Sequence, residues 1–293
     1  MIKTNNLNDN RIDLSKELVM LDNVNLPFTS LLLRKGTDKC GDIITSWQYE
    51  TLDSSRGTSK EGADITDFQT SDRSTGDKNI CQIIRKAVSV SGTAGAIQLN
   101  NISDLFTHEL QNRMLEAKRD LEYYLINGKY QEETADKARE MKGLLEFIKD
   151  ENKLSGQTIT KSDLNEIAKK MQKAGTASQN LILLCDYNTM DLIQDLYDDK
   201  IRYIGVTNEF GCPVLKINMT YASAIVYLCD SLPVNTMALV NLDYLKMAEL
   251  RPLMYEDLAK TGDSRKGFIC MENTLKVLHP DFAVQFTLEE TQG

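Results

Sequence analysis

Histidine is nearly missing from this chain of 293 residues, with two copies, and none of its six cysteines stands in a Cys-x-x-Cys pair. Zinc sites draw on clustered Cys and His, so this usage signals no zinc centre. Cys40, Cys81, Cys185, Cys212, Cys229 and Cys270 are also spread too widely for a tight disulfide framework, and they read as reduced, small, buried residues. Basic charge is in short supply: 34 Lys and Arg against 43 Asp and Glu leave a net charge of -9. Phosphate neutralisation needs clustered cations, which argues against nucleic-acid binding over the whole surface and leaves room for a local basic face. No apolar run approaches the roughly 18 residues of a membrane span. The opening Met1-Ile2-Lys3-Thr4-Asn5-Asn6 lacks the basic-then-apolar layout of a signal peptide. A soluble product made in the cytoplasm is the expectation. With only five prolines, 41% hydrophobic and 26% charged residues, the bulk should fold, as one large domain or two ordinary ones.

Catalytic signatures are missing as well. Lys260-Thr261-Gly262 matches the triad that penicillin-binding proteins set beside their serine, but Ser-x-x-Lys and Ser-Asp-Asn do not occur. The loops at Gly92 to Gly95 and Gly262 to Gly267 fit neither phosphate-binding glycine pattern and read as turns. His108-Glu109 is followed at the decisive position by Asn112, so the histidine pair of a zinc protease is incomplete. His108 then reads as a partly buried helix residue and His279, before Pro280, as a loop residue. Adjacent acids such as Glu132-Glu133, Asp198-Asp199 and Glu289-Glu290 belong on solvated faces more readily than around a scissile bond. No catalytic, metal or cofactor residues are assigned.

What the sequence does contain is a set of strong patterns. Residues 1–12 are Asn-rich and polar, a candidate arm that orders against something else. Leu14 to Leu21 has helical apolar spacing, broken at Leu26-Pro27-Phe28-Thr29 before the triplet Leu31-Leu32-Leu33 and a turn at Gly36. Two β-like runs, 43–52 and 80–90, flank the insert 53–79, which holds three glycines and only two large apolar residues, Ile65 and Phe68. Connections in compact domains have a median of roughly 4 to 6 residues, so this insert with its strands reads as a projecting arm. The clearest helix spans 104–127, with Ser103 as N-cap, Leu110, Met114, Ala117, Leu121 and Leu125 on one stripe and Gly128 as the stop. At about 1.5 Å per residue it would be a rod of roughly 35 Å.

Beyond it the pattern alternates. A helix begins at Thr160-Lys161-Ser162-Asp163 and ends near Gly175, Leu181 to Cys185 is a continuous apolar strand, and a helix spans 188–197. Strands are expected at 201–206, 213–218, 224–229, 239–242 and 244–248. This middle block could be an α/β unit of its own, and the whole reads as α+β.

The order of these features carries a resemblance. The Pro27-Phe28-Thr29-Ser30-Leu31 turn, Trp47-Gln48-Tyr49, Glu61-Gly62-Ala63-Asp64, Val88-Ser89-Val90-Ser91-Gly92-Thr93, Asp120-Leu121-Glu122, Met141-Lys142-Gly143-Leu144, Ala259-Lys260-Thr261-Gly262-Asp263 and Thr274-Leu275 resemble, over nearly the whole chain, tailed-phage major capsid proteins of the Hong Kong 97-type fold. More narrowly the chain is similar to the SU-ten-like major capsid family.

That resemblance implies an N-terminal arm at 1–41, an extended β-hairpin loop and its base at 42–100, and a peripheral domain with the spine helix at 101–155. It further implies an axial α/β domain at 156–249 and C-terminal strands returning to the peripheral domain at 250–293. The implied function is a shell subunit forming pentamers and hexamers of an icosahedral capsid around DNA, which it touches by weak nonspecific contact. Implied partners are further copies of itself, a separate scaffolding protein, a portal protein and decoration proteins, with no membrane. Ile65 and Phe68 are expected to anchor the loop on a neighbouring copy, and Phe28, Leu31 and Leu32 to anchor the arm. Deleting residues 55–77 should then leave a folded monomer that cannot close shells. Some relatives weld subunits through a Lys-Asn bond; no position here stands out for it. Two other readings are an encapsulin-like compartment shell and an α/β enzyme with residues 53–79 as a lid.

Overall fold

Pro27 begins a helix where the sequence suggested a break. A computed structural model describes residues 25–65, 68–97, 102, 104–178, 180–197, 215–260 and 262–289. In it Pro27 is the first residue of α1 (Pro27–Arg34), where the missing N–H of proline costs nothing because that group has no intrahelical partner. Next come β1 (Thr37–Lys39), β2 (Ile44–Gln48), β3 (Gly76–Ile80), β4 (Gln82–Ser91) and the short α2 (Gly92–Ala96). The long helix α3 (Leu105–Asn127) is followed by α4 (Leu144–Phe147), β5 (Lys153–Gly156), α5 (Lys161–Lys173), β6 (Leu181–Cys185) and α6 (Tyr187–Tyr197). The chain continues through β7 (Leu215–Asn218), β8 (Ser223–Leu228), β9 (Thr236–Asn241), β10 (Leu245–Asp257), β11 (Ser264–Val277) and β12 (Ala283–Leu288). The expected helix at Leu14 to Leu21, the Ser103 cap, Asp198-Asp199 and the strand at 201–206 lie outside the described residues.

The chain divides into two units. Among the described residues, one comprises those within 85–117 and 255–269, and the other those within 25–84, 118–254 and 270–289. In the smaller unit Val88, Val90 and Phe106 form a buried cluster. The Phe106 ring meets Tyr255 edge-on at 6.3 Å and carries the Arg265 guanidinium 4.0 Å over its face. Asp104 caps α3, accepting from the Phe106 N–H at 3.0 Å and the Thr107 hydroxyl at 2.6 Å.

The larger unit is built on a six-stranded sheet of order β5-β12-β9-β6-β8-β7. It is mixed: β6 runs parallel to β8 and antiparallel to β9, and β12 runs parallel to β5. All five residues of β6 are buried, as its unbroken apolar sequence requires of a strand covered on both faces. Leu181, Leu183 and Cys185 line one face with Val226, Met237, Leu239, Val284 and Phe286, and against them pack Leu164, Ile167 and Met171 of α5 and Ile193 of α6. The apolar stripe of α5 is thus spent on the sheet. Its start is fixed by a capping box, in which Thr160 Oγ1 accepts from the Asp163 N–H and Asp163 accepts from the Thr160 N–H. Gly175, at a φ of 72°, ends it.

Gly128 ends α3 for a different reason from the one expected. Its φ is not positive. A Cβ there would collide with the Met141 carbonyl and lie 2.5 Å from that of Tyr124. The glycine is needed because the 141–143 segment runs directly against the helix end, where the Gly143 N–H donates to the Gly128 carbonyl at 2.8 Å.

Candidate assembly surfaces

β2 and β3 pair antiparallel from Ile44↔Ile80 to Gln48↔Gly76, with a bridge beyond at Thr51↔Asp72. Past that bridge the described residues of the insert form no strand. Three large apolar side chains stand out into solvent there: Leu52 at 84% exposure, Ile65 at 79% and Phe68 at 83%. Burying one such side chain is worth roughly 1.5–3 kcal/mol, and none of the three finds that burial within its own chain. A deletion that spares the hairpin has to end before Gly76, because the segment 55–77 reaches into β3.

The base of the hairpin is held firmly. Asn79 Nδ2 donates to the carbonyls of Lys142 and Leu275 at 2.9 and 2.8 Å, and its Oδ1 accepts from the Lys142 N–H at 2.8 Å. The Tyr49 hydroxyl receives the Trp47 indole N–H at 3.1 Å and donates to the Val277 carbonyl at 3.1 Å. Beside this base runs a groove of about 830 Å³ lined by Tyr49, Asp77, Lys142, Phe147, Lys149 and Asp281, among others. Its charges are paired, Lys142 with Asp77 at 3.3 Å and Lys149 with Asp281 at 3.0 Å. Burial lowers the pKa of His279 at the same groove.

The anchors expected in the arm are spent elsewhere. Phe28 and Leu32 have no exposed surface and Leu31 only 6%, all buried within the chain. The reason is Glu122 of α3, whose carboxylate accepts from the N–H groups of Phe28 at 3.0 Å and Thr29 at 2.6 Å and from the Thr29 hydroxyl. It fills the orphan donors at the start of α1 and turns that helix's apolar side inward. Leu33, by contrast, keeps 49% of its surface exposed. Burial pushes the Glu122 carboxyl above the usual range, while its Thr29, Phe28 and Cys229 donors pull it down.

A second buried carboxylate binds distant segments. Glu272 of β11 meets Arg139 at 3.0 Å on one oxygen and the Arg251 Nε at 2.8 Å on the other. A guanidinium on each oxygen offsets the cost of burying that charge.

Sequence reasoning found neither pair, since their members lie far apart in the chain and only an acid two residues after Asp120 and a lone Glu272 were visible. His108 is half-buried on α3, with the Asn112 amide 3.4 Å from its ring. Among the described residues no group of three or more His, Cys, Asp or Glu could hold a metal ion. Exposed Lys161, Lys169 and Lys173 give the outer side of α5 a local basic character.

Comparison with known proteins gives the fold and the family. The search of curated proteins finds no match. Among solved structures, the chain is similar to the capsid of Cyanophage A-1(L), with a TM-score of 0.70, 13% identity and coverage of 97% of this chain and 98% of that one. The capsid of the native GTA particle gives 0.68 at 10% identity, covering 98% of both chains. The SrpI encapsulin of Synechococcus elongatus gives 0.62 at 12% identity, covering 96% and 94%. At these identities the likeness establishes the fold, which is the Hong Kong 97-type capsid fold. The model of the SU10 major capsid protein family matches residues 1–287, so the chain belongs to the SU10 major capsid protein family.

Proposed function

We propose that this major capsid protein closes its shell by laying the β2-β3 hairpin on an adjacent copy, with Leu52, Ile65 and Phe68 as the buried contacts. The observation carrying this is the exposure of Ile65 and Phe68 on an insert that makes no core of its own, and of Leu52 just before it. Copies gather as pentamers and hexamers around DNA, assembled in the host cytoplasm on a separate scaffolding protein, with portal and decoration proteins as further partners. In this reading residues 1–41 are the arm, 42–100 the loop and its base, 101–155 the peripheral domain, 156–249 the axial domain and 250–293 the returning strands. The exposed lysines of α5 are suited to weak nonspecific contact with phosphate.

The test is an Ile65→Ser, Phe68→Ser double variant, assembled beside the wild type and sorted by sedimentation. The expected outcome is a folded, soluble chain that no longer closes shells. Shells of normal yield would refute the hairpin's role and leave the family membership intact.

The encapsulin match keeps a compartment shell as the alternative use of the same fold. Packaged nucleic acid in purified particles favours the capsid reading, and packaged protein the compartment.

A further inference from the structure

Two cysteines flank the root of the hairpin, Cys40 before β2 and Cys81 directly after β3. Cys40 follows β1, and its N–H donates to the Glu249 carbonyl at 2.9 Å, which fixes its backbone against β10. Cys81 sits between β3 and β4, and its N–H donates to the Ile43 carbonyl at 2.8 Å. The Cys81 sulfur lies 3.9 Å from the carbonyl of Asp42, two residues along from Cys40, and the Cys40 thiol is among the neighbours that act on it. Both are free thiols, Cys40 half-exposed and Cys81 buried.

We propose that Cys40 and Cys81 are a disulfide-forming pair, oxidised within one chain by a small-molecule disulfide such as oxidised glutathione. The two thiols differ in the way such a pair requires. Burial and the Cys40 neighbour push Cys81 up to about 12, so it stays protonated and out of reach of a bulky oxidant. Cys40 is half-exposed and so reachable, and its sulfur accepts the Thr45 hydroxyl at 3.3 Å.

The chemistry is two exchanges. The Cys40 thiolate attacks one sulfur of glutathione disulfide; that bond breaks, a Cys40–glutathione bond forms, and one glutathione leaves as thiolate and takes up a proton. Cys81 gives its proton to solvent and attacks the Cys40 sulfur, displacing the second glutathione, which is protonated in turn. Two protein thiols are oxidised and one glutathione disulfide is reduced to two glutathione molecules. The product makes the segment between Cys40 and Cys81, hairpin included, a covalent ring closed at its root.

Other cysteines serve as internal controls. Cys185 ends β6 and Cys229 directly follows β8, with the Cys229 N–H donating to the Cys185 carbonyl at 2.8 Å, but both are buried and burial pushes both thiols up. Cys270 is buried, with its sulfur 3.5 Å from Arg251 Nη2. None of these offers an accessible entry thiol.

The experiment is to treat the full chain with oxidised glutathione, block remaining thiols with iodoacetamide and map peptides without reductant by mass spectrometry. The expected result is a Cys40–Cys81 linked peptide, lost in Cys40→Ser. In Cys81→Ser, glutathione should stay on Cys40 with a lifetime at least about tenfold longer than in the wild type, because the intramolecular partner is gone. A chain nicked by protease inside the insert after oxidation should run as one band without reductant and as two with it. A lasting glutathione adduct on wild-type Cys40, no reaction at Cys40, or Cys40-to-Cys40 dimers as the main product would each overturn the proposal. These readouts need no shell, so they stand or fall apart from the assembly reading.

Discussion

Glu122 of α3 accepts the backbone N–H of Thr29 at 2.6 Å across 93 residues of sequence. One buried carboxylate thereby decides which way α1 faces. It explains why Phe28 and Leu32 belong to the interior and not to an interface.

Replacing Glu122 tests this directly. Glu122→Ala strands the N–H groups of Phe28 and Thr29 and the Thr29 hydroxyl, and should cost about 3 kcal/mol, at roughly 1–3 kcal/mol per buried unmet group. Glu122→Gln retains one acceptor but turns an NH₂ toward a donor, and should cost less than alanine but more than about 1 kcal/mol. Urea unfolding of the three chains measures both.

Stability should also respond to pH through this group. Burial raises the Glu122 pKa in the folded state above its unfolded value. Its contribution is therefore full below the unfolded pKa and is lost as pH rises through the folded one. As the pH rises above the ordinary carboxyl value of 4.5, the stability of the wild type relative to Glu122→Gln should decline. A relative stability that rises with pH there would contradict the account.

Gly128 and Gly57 make a contrasting pair. A Cβ at Gly128 runs into the Met141 and Tyr124 carbonyls, whereas one at Gly57 meets nothing within 4 Å. Gly128→Ala should destabilise by about 2 kcal/mol or more through backbone displacement, and Gly57→Ala should stay within about 0.5 kcal/mol of the wild type. Denaturant midpoints at constant slope distinguish them.

The Arg139–Glu272–Arg251 group should behave as a coupled set. Arg139→Met leaves Glu272 short of one partner and should cost roughly 3 kcal/mol. Adding Glu272→Leu should recover part of that loss, because the buried charge goes too. A double-mutant cycle with strictly additive costs would contradict the coupling.

Much of this fold was legible locally. β6 is a continuous apolar run, α5 carries its capping box and stripe, and α3 runs Leu105–Asn127 close to where its periodicity put it. The projecting insert was visible because Ile65 and Phe68 are too few to make a core. The misses share a cause, which is partners distant in sequence. Nothing local marks Glu122 as the partner of residues 28 and 29, or residues 141–143 as the neighbours that make Gly128 obligatory. β10 and β11 were under-read for a related reason. Pro252 argues against a strand, yet it lies beyond the β1 register, which ends at Lys39↔Glu249, where an absent N–H breaks no β1 ladder bond.

The central claim is that this chain builds shells, and imaging the purified protein by negative-stain electron microscopy with a light-scattering mass tests it most directly. Rings of five or six copies, or closed shells, are the predicted result. A strict monomer at high concentration, still inert when co-expressed with the proposed scaffolding protein, would contradict it.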